Sequence, residues 1–196
     1  IGPLSLPNRI VVAPMCQYSS IDGEASDWHV QHWSNLALSG AGLVIVEATA
    51  VEPRGRISWA DLGLYDDATE AAFANALATV RRWSPAKMGV QLAHAGRKAS
   101  TLKPWEGGGG PIPADDARGW TTRAPSALPY AETDPVPEAL DDAGIAEIIQ
   151  AFTDSAIRAV RLGLDLIEIH AAHGYLLHEF VSPLSNQRSD AYGGSL

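Results

Sequence analysis

The chain has 196 residues, of which 46% are hydrophobic and 19% charged, enough apolar material for one good-sized core and the balance of an ordinary globular domain, not a disordered segment. A formal net charge of -9 with no basic run excludes nucleic acid or an anionic membrane surface as the main partner. A single cysteine, Cys16, excludes an internal disulfide and a cysteine-based zinc or iron–sulfur centre and fits a reducing, cytoplasmic setting; no apolar run reaches the roughly 18 residues of a membrane span, and the first residues lack a secretory leader.

In chain order, the first expected strand is RIVVAPM (9–15), followed by the helical pattern DWHVQHWSNLALSG, with Gly40 as its C-cap. GLVIVEATAV (42–51) reads as a second buried strand. The helix DDATEAAFANALATVRRW comes next, with acids in its first turn and Arg81 and Arg82 in its last, matching the helix dipole. KMGVQLAHA (87–95) is the third strand. The helix DDAGIAEIIQAFTDSAIRAVRLG puts Ile145, Ile148, Ile149, Phe152, Ala156 and Val160 on one face and ends at Gly163, and LDLIEIH (164–170) is the fourth strand.

Between the third strand and the third helix, from about 94 to 141, no period holds. The segment carries GGGG, seven prolines, Trp105 and Trp120. A connection this long in a compact domain is a functional lid or a disordered excursion, and its place beyond a strand end favours a lid.

Near-continuous apolar strands alternating with amphipathic helices imply a parallel sheet covered by helices. No G-x-G-x-x-G turn follows the first strand, so the dinucleotide-binding open sheet loses its main support. Polar residues gather instead at strand ends: Cys16, Gln17 and Tyr18, then Thr49, then Gln91 and His94, then His170 and His173. Barrel enzymes place their chemistry there, and the expected fold is a TIM (β/α)8 barrel. A complete barrel takes about 250 residues, so the chain reads as its first four βα units, the N-terminal half of one domain covering 1–196, with sequence expected on either side.

Strand alternation puts Glu168 and His170 on one face and Ile167 and Ile169 on the other, so the isoleucines face the helices and the polar pair the barrel interior. His173 and Tyr175 follow in the next loop. Three readings are open: satisfied polar groups at a core edge, a metal site drawing on His94, His178 or Glu179, or two imidazole N–H groups aimed at one ligand oxygen with a tyrosine nearby as proton donor. Gln91, amid apolar neighbours, needs partners for both ends of its carboxamide, which a heterocycle or a nearby backbone group would supply. Pro14 marks a strand end or bulge, and Cys16 and Tyr18 beyond it are either buried filler or ligand contacts.

The stretches GPLSLPNRIVVAPMCQY, DWHVQHWSNLALSGAGLVIVEATAV, MGVQLAHAGRK, TRAPSALPY and IEIHAAHGYLLHEFVSPLSNQRSDAYGGS, in this order, closely resemble the old yellow enzyme family of FMN-dependent ene-reductases, in the class with cysteine in the first-strand motif. The resemblance implies an FMN bed of Ala13, Pro14, Met15 and Cys16, with Ala48 and Gln91 as further cofactor contacts. It implies that His170 and His173 hold the carbonyl oxygen of an activated alkene, that Tyr175 is the proton donor, and that Tyr18 is a second substrate contact. It further implies NADPH or NADH as hydride donor, ping-pong reduction of α,β-unsaturated carbonyl compounds, and a homo-oligomeric parent protein. The family's arginine beside the flavin and its phosphate-gripping segment lie in the second half, so a non-catalytic fragment is the alternative, with a metallohydrolase using His170 and His173 behind it.

Overall fold

In the computed structural model, which describes residues 1–194, the elements run β1 (Val11–Val12), α1 (Asp27–Ala37), β2 (Leu43–Ala50), α2 (Asp67–Trp83), β3 (Lys87–Ala93), β4 (Arg123–Ala124), β5 (Glu138–Ala139), α3 (Asp142–Arg161), β6 (Leu166–Ile169) and α4 (Leu176–Val181). β1, β2, β3 and β6 form one parallel sheet in that order. Each strand therefore lies beside the next one in the chain. That simple progression belongs to a barrel, because an open doubly wound sheet reverses its order partway. β4 and β5 pair with each other across the long connection.

The first strand is much shorter than expected. Val11 and Val12 pair with Leu43 and Val44, but residues 13–15 leave the ladder, since Pro14 has no N–H to give and its ring restricts the residue before it. β2 and β3 match their expected runs to within two residues, and β6 holds the central four of the seven expected.

The core lies between the sheet and α1, α2 and α3. Val44, Val46, Met88, Val90 and Leu92 meet Trp33, Phe73, Leu77, Val80 and Ala159, with the Trp33 and Phe73 ring centroids 4.8 Å apart. α2 starts where Asp66 accepts the Thr69 N–H, and α3 where Asp141 accepts the Gly144 N–H, both caps supplied by the acid pairs visible in the sequence. α3 ends as expected, with Gly163 in the left-handed region, whereas α1 stops at Ala37 and Gly40 turns two residues beyond the cap.

The expected apolar face of α3 needs correction. Ile145 and Ile148 are buried, but Ile149 and Val160 are exposed, and Ser155 and Ala159 take the contact instead. The helix rests on the sheet along the row 145, 148, 152, 155 and 159, where small residues permit close approach. Ile169 is likewise half exposed because β6 is a sheet edge, while Ile167 does pack on the core. Ile148→Val is expected to cost about 0.5–1.5 kcal/mol, read as a lower urea midpoint with an unchanged slope. Among the described residues, no helix is long and apolar enough to cross a membrane.

Candidate active site

The sheet's C-terminal rim is shaped first by a β-bulge. The pairing of β2 with β3 slips between Val46 and Ala48, leaving Glu47 without a ladder partner. Its side chain is buried, and its two oxygens take the His29 Nε2 at 3.1 Å and the Gln17 N–H at 2.5 Å. His29 Nδ1 accepts the Ser26 N–H, so the ring proton sits on Nε2 and points at the carboxylate. α1 and the bulge thus hold the loop of Cys16, Gln17 and Tyr18 over the strand ends. The signal was legible: a lone acid inside LVIVEATA has to be paired.

At the end of β6, His170 is buried and its Nδ1 accepts the Ala172 N–H at 3.2 Å, which leaves Nε2–H as the outward donor. Its ring centroid lies 5.0 Å from that of His173 and 4.9 Å from that of Tyr175. The three predicted groups therefore converge. Burial, and then the neighbouring His173, hold the His170 pKa below the usual histidine value, so the ring is neutral. Burial pushes the Tyr175 hydroxyl well up, so it keeps its proton. His173 and Tyr18 share a further mark: both are non-glycine residues with positive φ, 57° and 51°. Such backbone persists where surrounding structure enforces it, and it clusters at binding sites.

Lys98, on the turn after β3, was missed by sequence reasoning. Its Nζ donates to the His173 carbonyl at 2.8 Å and lies 5.1 Å from the Tyr175 ring centroid, fixing the left-handed residue and placing positive charge beside the phenol. Within AGRK it looks like an ordinary surface lysine, and only the fold reveals its neighbours.

Across the sheet, Gln91 is buried and its Nε2 meets Glu168 Oε1, so the carboxamide finds one partner in an acid of the adjacent strand. Among the described residues, no hydrogen bond reaches Gln91 Oε1, His170 Nε2, the His173 ring or the Tyr175 hydroxyl. Ala48 is buried in the bulge, while Ala13 and Met15 are exposed, so one apolar face of the first-strand end looks outward. Pro14 lies between them, half-buried. Burial and the nearby Asp61 and Glu47 push the Cys16 thiol far up; burial and Cys16 do the same for Tyr18. Both are therefore neutral, and Trp105 of the long connection stands edge-on to Tyr18 with centroids 5.7 Å apart.

The extra metal ligands considered for the histidine pair are engaged elsewhere. His94 Nε2 faces Glu52 at 2.9 Å, His178 Nδ1 takes the Gly174 N–H, and Glu179 takes the Arg97 N–H. Among the described residues, no three metal-binding side chains converge.

Two buried acids stand near the site: Asp61, which the sequence left unremarked, and Glu179, which it offered only as a metal ligand. Three donors from Ile57 and Ser58 surround Asp61, yet burial still raises it to about 7. Glu179 joins α4 to the turn after β3 through Oε1, but its Oε2 has no partner, and burial raises it to about 8. The folded state thus binds a proton that the unfolded chain releases near pH 4.5. Stability contributed by the neutral acid is full at low pH and is lost as pH rises toward 8. Glu179→Gln should therefore melt close to the parent at pH 5 and several degrees above it at pH 8; an offset independent of pH would show that Glu179 is ionised in the fold.

Comparison with known proteins matches this arrangement. The NADH:flavin oxidoreductase / NADH oxidase family profile matches residues 1–196. An NADH:flavin oxidoreductase of Gibberella zeae is 47% identical over 198 residues, covering 100% of this chain and 48% of that protein. An NADPH dehydrogenase of Geobacillus thermodenitrificans is 46% identical over 194 residues, covering 98% of this chain and 52% of its own. Among solved structures, morphinone reductase superposes with a TM-score of 0.84 at 31% identity over 99% of this chain and 52% of that one. An old yellow enzyme from Pichia sp. gives 0.84 at 27% identity, over 100% and 50%. The chain spans about half the length of the curated relatives it matches, and its sheet is half of their barrel. With a family profile matched end to end and the sheet order of a barrel, the chain belongs to the NADH:flavin oxidoreductase / NADH oxidase family, the FMN-dependent old yellow enzyme group.

Proposed function

We propose that residues 1–196 supply the first four βα units of a single FMN-binding barrel, with the connection at about 94–141 as its lid, and that the complete protein reduces the activated C=C bond of α,β-unsaturated carbonyl compounds at the expense of NADPH or NADH. The observation that carries this reading is the convergence of His170, His173 and Tyr175 at the end of β6, on the same rim as the Cys16 loop.

The residues present fit the flavin. A flat heterocycle with alternating donors and acceptors suits the unused carboxamide oxygen of Gln91, the small Ala48 in the bulge, and the outward apolar face of Ala13 and Met15 with the half-buried Pro14 between them, with the neutral Cys16 thiol at its edge. FMN, when bound, supplies the two-electron chemistry linking nicotinamide to alkene in successive ping-pong half-reactions.

The chain's own part is orientation and charge. His170 Nε2–H and the His173 ring N–H bind the substrate carbonyl oxygen and stabilise the negative charge that grows there as the β-carbon is reduced. The neutral Tyr175 hydroxyl gives its proton to the α-carbon. Tyr18 lines the far side, and Trp105 covers it from the lid. The setting proposed is cytoplasmic, with a small-molecule enone-type substrate and a homo-oligomeric parent protein. The test is product analysis: the full-length protein with FMN, NADPH and cyclohexenone should yield cyclohexanone in equal amount to the NADPH consumed, and NADPH consumption without saturated ketone would refute the alkene assignment.

A further inference from the structure

The turn that follows β3 is held at two successive amides. Gly96 N–H donates to Nδ1 of the buried His94, and Arg97 N–H donates to Glu179 Oε1, both at 3.0 Å. Glu179 reaches this turn from α4, 82 residues beyond Arg97, and is only 1% exposed. Gly96 has a φ of 62°, and a Cβ there would collide with the Glu179 carboxyl, so the acid lies directly against the backbone of the turn. Packing alone does not account for it. An apolar side chain of the same length would fill the space without the cost of burying a carboxyl, and Glu179 Oε2 has no partner among the described residues.

Both ends of this contact lead to the reaction site. On the α4 side, Glu179 N–H donates to the Tyr175 carbonyl at 2.8 Å and Leu176 N–H to the His94 carbonyl at 3.0 Å, so the acid lies one helical turn beyond the phenol. On the other side, the turn carries Lys98, whose Nζ donates to the His173 carbonyl at 2.8 Å and stands 5.1 Å from the Tyr175 ring centroid. The contacts thus run in a circle from Tyr175 through Glu179, the Arg97 amide and Lys98 back to Tyr175. Lysine is the flexible member, since its side chain has many rotamers to lose. Its ammonium also lies 4.8 Å from the Tyr130 ring, so a shift of the turn can carry it from one phenol toward the other. Arg97 and Lys98 are the charges that face Glu179, yet burial keeps the acid neutral at pH 7, and it does not draw the ammonium away from Tyr175.

We propose that Glu179 is a positioning residue for the proton-transfer step: by gripping the Arg97 amide it fixes the turn that carries Lys98, and so holds the ammonium against Tyr175 and the His173 backbone. It acts through Lys98 and not on the substrate. This rests on the reading of Tyr175 as proton donor given above.

Glu179→Met keeps the length of the side chain and removes the acceptor, whereas Glu179→Gln keeps both shape and acceptor. Each is made in the full-length, FMN-loaded protein, alone and together with Lys98→Met, and followed by anaerobic stopped flow at pH 7 and a temperature where circular dichroism shows it folded. Flavin reduction by NADPH is measured first, then reoxidation by cyclohexenone. Glu179→Met should be reoxidised about 10- to 100-fold more slowly, the scale of misplacing a group by about 1 Å, with reduction by NADPH within about twofold of the parent. Glu179→Gln should restore the parent rate. Lys98→Met should be slowed at least as much as Glu179→Met, and adding Glu179→Met to it should cost no more, because the two act as a unit. Equal slowing of both half-reactions, losses that multiply in the double variant, or a Gln variant as slow as the Met variant would overturn the proposal. So would Glu179→Met or Lys98→Met reoxidised as fast as the parent. If Glu179→Met does not fold, Gly96→Ala disrupts the same contact from the turn and carries the same expectations. A parent protein reduced by NADPH but not reoxidised by cyclohexenone would instead overturn the alkene reading.

Discussion

Tyr175→Phe is expected to slow reduction of an enone by about 10²–10⁴-fold, the usual contribution of a positioned general acid. The ring stands 4.9 Å from His170 and 6.3 Å from His173, so the phenol faces the place where two imidazoles would hold a carbonyl. Burial keeps the hydroxyl protonated far above neutral pH, and Lys98 beside the ring supplies a positive charge that eases its loss at the moment of transfer. Phenylalanine preserves the ring and its contacts with Lys98 and His170, leaving stability nearly unchanged. Oxidation of NADPH needs no proton from this group, so the loss should appear only in the step that consumes the alkene. Equal slowing of both steps would mean that Tyr175 shapes the pocket and does not donate.

Replacing either histidine by alanine should cost about 10²–10³-fold in the same step, the scale measured for loss of one donor to a developing oxyanion. His170 should be the more damaging of the two. Its donor is set in advance by the Ala172 N–H on Nδ1, whereas His173 is exposed and held through its backbone by Lys98. The double variant should lose little more than the worse single one, because the pair acts on one oxygen. With the His170 pKa lowered, alkene reduction should show no loss of rate on going from pH 7 to pH 8 through this group. A steep fall there would mean that an imidazolium is the required form.

The barrel progression was readable from four apolar runs and the helices between them, and the site from where polar residues interrupt those runs. Glu168 and His170 alternate with Ile167 and Ile169, and the fold keeps that alternation through the Gln91–Glu168 contact. What periodicity could not place depends on contacts distant in sequence. Ile149 and Val160 fit the helical stripe but miss the sheet, because α3 is rotated toward its small residues Ser155 and Ala159. The bulge at Glu47 depends on His29 and Gln17, 18 and 30 residues away. The role of Lys98 depends on His173, 75 residues further on, and on Tyr175, and no local rule reports a contact of that range.

The most direct measurement of the central claim is an anaerobic spectral titration of the full-length protein loaded with FMN. The account predicts that one equivalent of NADPH bleaches the flavin absorbance and that cyclohexenone, added afterwards without oxygen, restores it, with Tyr175→Phe and His170→Ala bleached normally but restored slowly. A protein that binds FMN and is neither bleached by NADPH or NADH nor reoxidised by the enone would contradict it.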